Sequence, residues 1–176
     1  IAADQTNQQE GHSGTTPFTF TVTRTGNTTG AASVDWALSS AGASAADFTT
    51  ADGLGSNGGL PSGTITFADG ESAKTITIEV VGNEVVEADE SFTISLSNAA
   101  GGAIITGSAG STIVNDDSTI AIAADSAVKN EGNSGTTAYT FTITRTGYLG
   151  EAETVEYSVA GSGAHPADGT DFNGTT

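Results

Sequence analysis

The chain has 176 residues and a formal net charge of −17, from 21 acidic residues against four basic ones, with no cysteine and 36% apolar side chains. That charge repels nucleic acid and anionic membrane surfaces, so no nucleic-acid partner is expected. The lack of cysteine excludes disulfides and thiolate metal sites. No apolar run reaches the ~18 residues of a spanning helix, so no membrane insertion is expected.

A period of two dominates the chain and marks half-buried strands. Residues 1–3 (IAA) read as the first strand. PFTFTVTRT (17–25) sets Phe18, Phe20 and Val22 on one face and Thr19, Thr21 and Thr23 on the other. SVDWALS (33–39) turns Val34, Trp36 and Leu38 inward. LGSNGGLPSG (54–63) has the composition of a flexible spacer, after which GTITFA (63–68) offers Ile65 and Phe67. KTITIEVV (74–81) offers Ile76, Ile78 and Val80, and SFTISLS (91–97) offers Phe92, Ile94 and Leu96. GAIITG and STIVN (102–115) give a last, interrupted strand. Gly, Asn and Asp punctuate the gaps, and no stretch shows helical periodicity. Seven short strands in ~115 residues predict an all-β, immunoglobulin-like antiparallel sandwich.

The pattern then starts again. Residues 1–47 align without a gap to 122–168, an offset of 121, with 23 identities in 47. EGHSGTTPFTFTVTRTG (10–26) answers EGNSGTTAYTFTITRTG (131–147). The expected organisation is a tandem repeat of about 121 residues, with one unit over 1–117 and the N-terminal half of a second over 118–176. Both ends cut inside a unit. The chain therefore reads as part of a longer array, or as one whose second unit is completed by another molecule. The units join without a linker at IVNDDSTIAIA (113–123).

If successive strands run up and down, the acids of the first unit sort unevenly. Glu10, Asp47, Asp52, Glu84, Glu87, Asp89, Glu90, Asp116 and Asp117 fall at one end, and only Asp69 and Glu71 at the other. No basic residue accompanies the larger group. Like charges ~5 Å apart repel by ~1 kcal/mol even in a watery dielectric. Two readings stay open: a solvated acidic cap, or a bound hard dication. Calcium suits the second, since it takes six to eight oxygens in irregular geometry. Zinc would recruit His or Cys, and only His12 is near.

These residues resemble the Calx-beta domain, the repeat of sodium–calcium exchangers that also occurs in integrins and bacterial surface proteins. The matching segments are EGHSGTTPFTFTVTRTG (10–26), AADF (45–48), SGTITFADGESAKTITIEVVGNEVVEADESFTISLS (62–97) and STIVNDD (111–117). The resemblance implies a Greek-key sandwich of seven strands with Ca2+ bound at one end. It implies Glu10, Asp47, Glu87, Glu90, Asp116 and Asp117 as ligands, with Glu84 at a further acidic position and Asp89 capping a turn or facing solvent. Calcium-sensing members carry a run of Asp where this chain has Gly82 and Asn83, which implies one or two ions rather than four. In the second unit the equivalents are Glu131 and one or both of Asp168 and Asp171.

Nothing points to catalysis. There is no HExxH, no GxSxG and no phosphate-cradling loop, and His12 and His165 read as exposed loop histidines. The expected function is a calcium-stabilised structural or adhesive repeat of a large secreted or cell-surface protein. Its partners would be neighbouring repeats of the same or identical chains, with a surface or matrix ligand possible. Two alternatives are a self-assembling extracellular filament subunit and a calcium-regulatory module of a larger enzyme or transporter.

Overall fold

Strand alternation becomes burial alternation. In a computed structural model that describes residues 1–49 and 55–172, the chain divides into two compact units, Ile1–Ser118 and Thr119–Thr176. The first unit carries β1 (Ala2–Ala3), β2 (Asn7–Gln9), β3 (Thr15–Thr23), β4 (Ala32–Ala41), β5 (Phe48–Thr49) and β6 (Gly55–Asn57). It continues with β7 (Leu60–Phe67), β8 (Ala73–Val81), β9 (Glu90–Ala100) and β10 (Ser108–Val114). One sheet has the order β1-β3-β8-β5 and the other β2-β10-β9-β4-β7-β6. Phe18, Phe20, Val22, Ile76, Ile78 and Val80 of the first sheet face Val34, Trp36, Leu38, Ile65, Phe67, Phe92, Ile94 and Ile113 of the second in one core. Phe92 is its hub: the rings of Phe18, Phe20 and Phe48 meet it edge-on at 5.4–5.8 Å between centroids, the geometry aromatic quadrupoles favour. This is an immunoglobulin-like all-β sandwich.

Four details depart from the sequence reading. The first strand is split. Ala2 and Ala3 pair with β3, and the chain then crosses to the other sheet as β2. Gln5 ties the crossing at both sides: its Oε1 accepts from Thr19 N, and its carbonyl accepts from the buried Ser111 hydroxyl at 2.9 Å. The β2–β10 pairing is parallel, with Asn7, Gln8 and Gln9 opposite Thr112, Ile113 and Val114.

The second departure is at 54–63, where a spacer was expected. Residues 55–63 are instead a hairpin of β6 and the start of β7, with Asn57 opposite Leu60. Its two-residue turn is Gly58–Gly59, at φ 65° and 91°. Positive φ at both central residues makes the turn whose twist matches paired strands, and glycine reaches it without penalty. Leu54 itself lies outside the described residues.

Third, the last strand begins at Ser108 rather than 102; Gly107, just before it, accepts from Leu96 N in the middle of β9. The three-residue 3-10 turn Ala45–Asp47 was also not expected.

The second unit holds β12 (Phe141–Gly147) and all of β11 (Ser118–Ala124) but its first residue, and the two pair as a two-stranded sheet. Among its described residues no hydrophobic side chain is buried.

Candidate metal centre

The parallel β2–β10 pair places the site. Parallel strands finish at the same end of a sheet, so the residues that follow each strand emerge side by side. Glu10 follows β2, and Asn115, Asp116 and Asp117 follow β10. Glu10 N donates to Val114 O, Gly11 N donates to Asp116 Oδ1 at 3.2 Å, and His12 Nδ1 lies 2.6 Å from Asp117 Oδ1. Glu10, Asp116 and Asp117 are the only charged side chains buried among the described residues.

Two more loops close over this row. Asp47 ends the 3-10 turn, where a capping box fixes it: Ser44 Oγ accepts from Ala46 N, and Asp47 Oδ2 accepts from Ser44 N at 2.5 Å. The next residue, Phe48, plugs into the core against Phe92. The 82–89 loop brings Glu87, whose N–H donates to Asn115 Oδ1, while Asn115 N donates to Asp89 Oδ1 and Asn115 Nδ2 to Asp117 O. Asn115 is thus the brace between this loop and the end of β10.

The electrostatics follow from this convergence. Burial first, and then the Glu87, Asp117, Asp116 and Asp47 carboxylates, together push the Glu10 carboxyl up to about 7. Glu90 is also raised, first by burial and then by Asp47 and Glu87. The two cations of this unit are elsewhere. Arg24 donates to the carbonyls of Thr28, Thr29 and Gly30, and Lys74 pairs with Glu71. One oxygen exposes the deficit most plainly: Asp117 Oδ2 is buried with no hydrogen-bond partner. A buried carboxylate oxygen left without donor or counter-ion costs free energy. Oxygen-rich, anionic and loop-borne, the donor set fits a hard dication such as Ca2+.

The structure sets Asp47, Glu87, Asp116 and Asp117 near enough to Glu10 to raise its carboxyl, and Asp47 and Glu87 near enough to Glu90 to raise that one. It does not gather Glu84, which lies on the exposed stretch of the 82–89 loop, nor Asp89, which braces Asn115. Asp52 lies outside the described residues. Asn83 turns its amide nitrogen to the site: its Nδ2 donates to Glu10 Oε2 at 3.2 Å, and its Oδ1 accepts from Val85 N. The glycine before it has a steric reason. A Cβ on Gly82 would lie 2.2 Å from Gly11 O and 2.9 Å from Glu10 O, so no aspartate fits there while the two loops touch.

In the second unit, Glu131 is exposed. Asp168 Oδ1 accepts from Thr170 N, and Asp171 Oδ2 accepts from Asp168 N at 2.8 Å. This repeats the Ser44–Asp47 capping box, with Asp168 in the role of Ser44 and Asp171 in that of Asp47. Asp168 is held below the usual carboxylate range by its Thr170 hydrogen bonds. The sequence places His12 near the acidic end but reads it as an exposed loop histidine, whereas its ring contacts the buried Asp117. The signal for that contact was its position two residues after Glu10, where the repeat has Asn133.

The Calx-beta domain model matches residues 7–118. Among solved structures, the chain is similar to the apo-form Calx CBD1 domain, at 28% identity and a TM-score of 0.53 over 64% of this chain and 91% of that one. It is also similar to CBD12 from CALX1.2, at 25% identity and TM-score 0.52, and to the calcium binding domain CBD12 of CALX1.1, at 23% and 0.52. Each of these two matches covers 66% of this chain and 44% of the other, so the chain spans less than half the length of those structures. Comparison with curated proteins gives no match.

Proposed function

The chain belongs to the Calx-beta domain family through residues 7–118, and from that premise we propose that it is a non-catalytic, calcium-binding module. Glu10, Asp47, Glu87, Glu90, Asp116 and Asp117 would hold the ion. The observation that carries this reading is the orphaned, buried Asp117 Oδ2 beside a buried Glu10. A dication would supply the charge these groups lack and hold four chain segments together: the one after β2, the 3-10 turn, the 82–89 loop and the end of β10. Calcium would therefore order loops rather than drive chemistry.

Its wider role in this proposal is structural or adhesive, within a secreted or cell-surface protein built from such repeats, with neighbouring repeats as partners. The 121-residue internal repeat supports this. A regulatory role within a larger transporter or enzyme is the second reading, favoured by the likeness to the apo-form Calx CBD1 domain.

Calorimetric titration of the full chain with Ca2+, paired with melting in chelator, tests the central claim. Calcium should raise the melting temperature of the first unit, by about 2.7 kcal/mol of stability at a hundredfold excess over Kd. Asp117→Asn should abolish most of that gain. An unchanged melting temperature at millimolar calcium overturns the proposal.

A further inference from the structure

An imidazole stands among these carboxylates, although calcium takes oxygen ligands. His12 Nδ1 is 2.6 Å from Asp117 Oδ1. One ligand atom each from His12, Asp116 and Asp117 lie within 4.8 Å of one another. Donors bound at ~2.0–2.2 Å to one ion are themselves up to about 4 Å apart, so a small contraction brings all three onto one centre. The group also has the outer support that metal ligands need: Gly11 N holds Asp116 Oδ1, and Asn115 Nδ2 holds the Asp117 carbonyl. Asp117 Oδ2, buried and without a partner, is the acceptor still to be satisfied.

We propose that His12, Asp116 and Asp117 form a binding site for a borderline transition-metal dication, with Zn2+ as its representative. A mixed imidazole–carboxylate set suits such ions, whereas an all-oxygen set suits calcium. The inference rests on the acidic end being a cation site, as proposed above, but adds a ligand and a metal class of its own. His12 is exposed and sits in a loop, so it can turn onto an ion without disturbing the core. An ion bound at Nδ1 takes the neutral imidazole with its proton on Nε2, and replaces the contact between Nδ1 and Asp117. The site is private to the first unit, since position 133 of the repeat is asparagine. Zinc and calcium would then compete for Asp116 and Asp117, and His12 would decide between them.

The full chain, stripped with chelator, should be titrated calorimetrically with Zn2+ and separately with Ca2+, as wild type, His12→Gln and His165→Gln. His12→Gln should weaken Zn2+ at least as much as loss of an outer-shell partner does, about tenfold to a hundredfold, while calcium affinity changes less than about threefold. His165→Gln should leave both unchanged. In wild type, the His12 ring resonances should move on Zn2+ addition and those of His165 should not, a readout independent of any variant. Zinc affinity that is unaltered by His12→Gln, or His12 resonances that stay still, would overturn the proposal. Calcium binding with no histidine-dependent zinc binding leaves the calcium reading standing and removes this one. Histidine-dependent zinc binding without calcium stabilisation does the reverse.

Discussion

Residues 15–23 and 136–144 are nearly the same sentence, TTPFTFTVT and TTAYTFTIT, yet they fold to different extents. In the first unit Phe18 and Phe20 are 0% exposed and sit in a strand paired with β8 along its whole length. Their equivalents Tyr139 and Phe141 are 49% and 58% exposed, and β12 starts only at Phe141. Val34, Trp36 and Leu38 are core, while Val155, Tyr157 and Val159 lie on exposed chain. Alternation thus decides which side chains share a face. Whether that face is buried depends on a second sheet, in which the first unit pairs β4 on either side with β7 (Leu60–Phe67) and β9 (Glu90–Ala100). The acids behave alike: Glu10 is buried among partners from 47, 87, 116 and 117, while Glu131 is exposed.

The sharpest way to break this contrast is through the aromatic hub. Phe92 has no equivalent in the second unit of this chain and meets three rings in the first. Phe92→Ala should destabilise the first unit by about 3–5 kcal/mol, as large-to-small changes in a packed core do. Phe141→Ala, at the position equivalent to the buried Phe20, should stay within about 0.5 kcal/mol, as for an exposed site. Urea unfolding followed by Trp36 fluorescence reads the first, and calorimetry of the full chain reads both. Equal losses would mean that the second unit has a core of its own.

Gly82 probes the loops rather than the core. Gly82→Ala puts a methyl against Gly11 O and Glu10 O. It should cost toward the upper end of the ~1–3 kcal/mol typical of overpacking, and it should weaken calcium because Glu10 moves with that backbone. Gly132→Ala would not report the same contact, since the second unit of this chain has no counterpart of the 82–89 loop. A Gly82→Ala protein with native melting and native calcium affinity would show that the loops do not need to touch.

Much of this was legible in the sequence, and the reasons are local. Strand faces follow from alternation, and the polarity of the acids follows from counting connections. What was not legible depended on pairing across long separations. The parallel β2–β10 register that sets Glu10 beside Asp116 joins residues about a hundred positions apart. The hairpin at 55–63 was hidden because Asn-Gly-Gly reads equally as a spacer or a tight turn. The Ser44–Asp47 capping box has a visible signature, S-x-x-D, but too short a helical run to show periodicity. Which end Asn83 turns to the site was not legible either, because Val85 N and Glu10 make that choice and neither is marked by spacing.

The smallest effect is the most discriminating, because it compares the two aligned glutamates directly. Unfolded, Glu10 titrates near 4.5, and folded near 7. Between those values the folded state keeps a proton that the unfolded state has released, so stability falls as pH rises from about 4.5 to about 7 and stays reduced above that. Solvent screening reduces the cost to something on the order of 1 kcal/mol. In chelator, Glu10→Gln should flatten that slope and leave the protein at pH 8 more stable than wild type, because a buried charge without a counter-ion has gone. Glu131→Gln should change neither slope nor stability. Saturating calcium should reverse the order at Glu10, since the ion needs the carboxylate ionised and the wild type then gains what the variant cannot. Melting curves across pH 4.5–8, with and without calcium, separate these cases. A Glu10→Gln protein that is less stable than wild type in chelator at pH 8 would mean that Glu10 is satisfied without a cation, and the acidic end would then be a solvated cap.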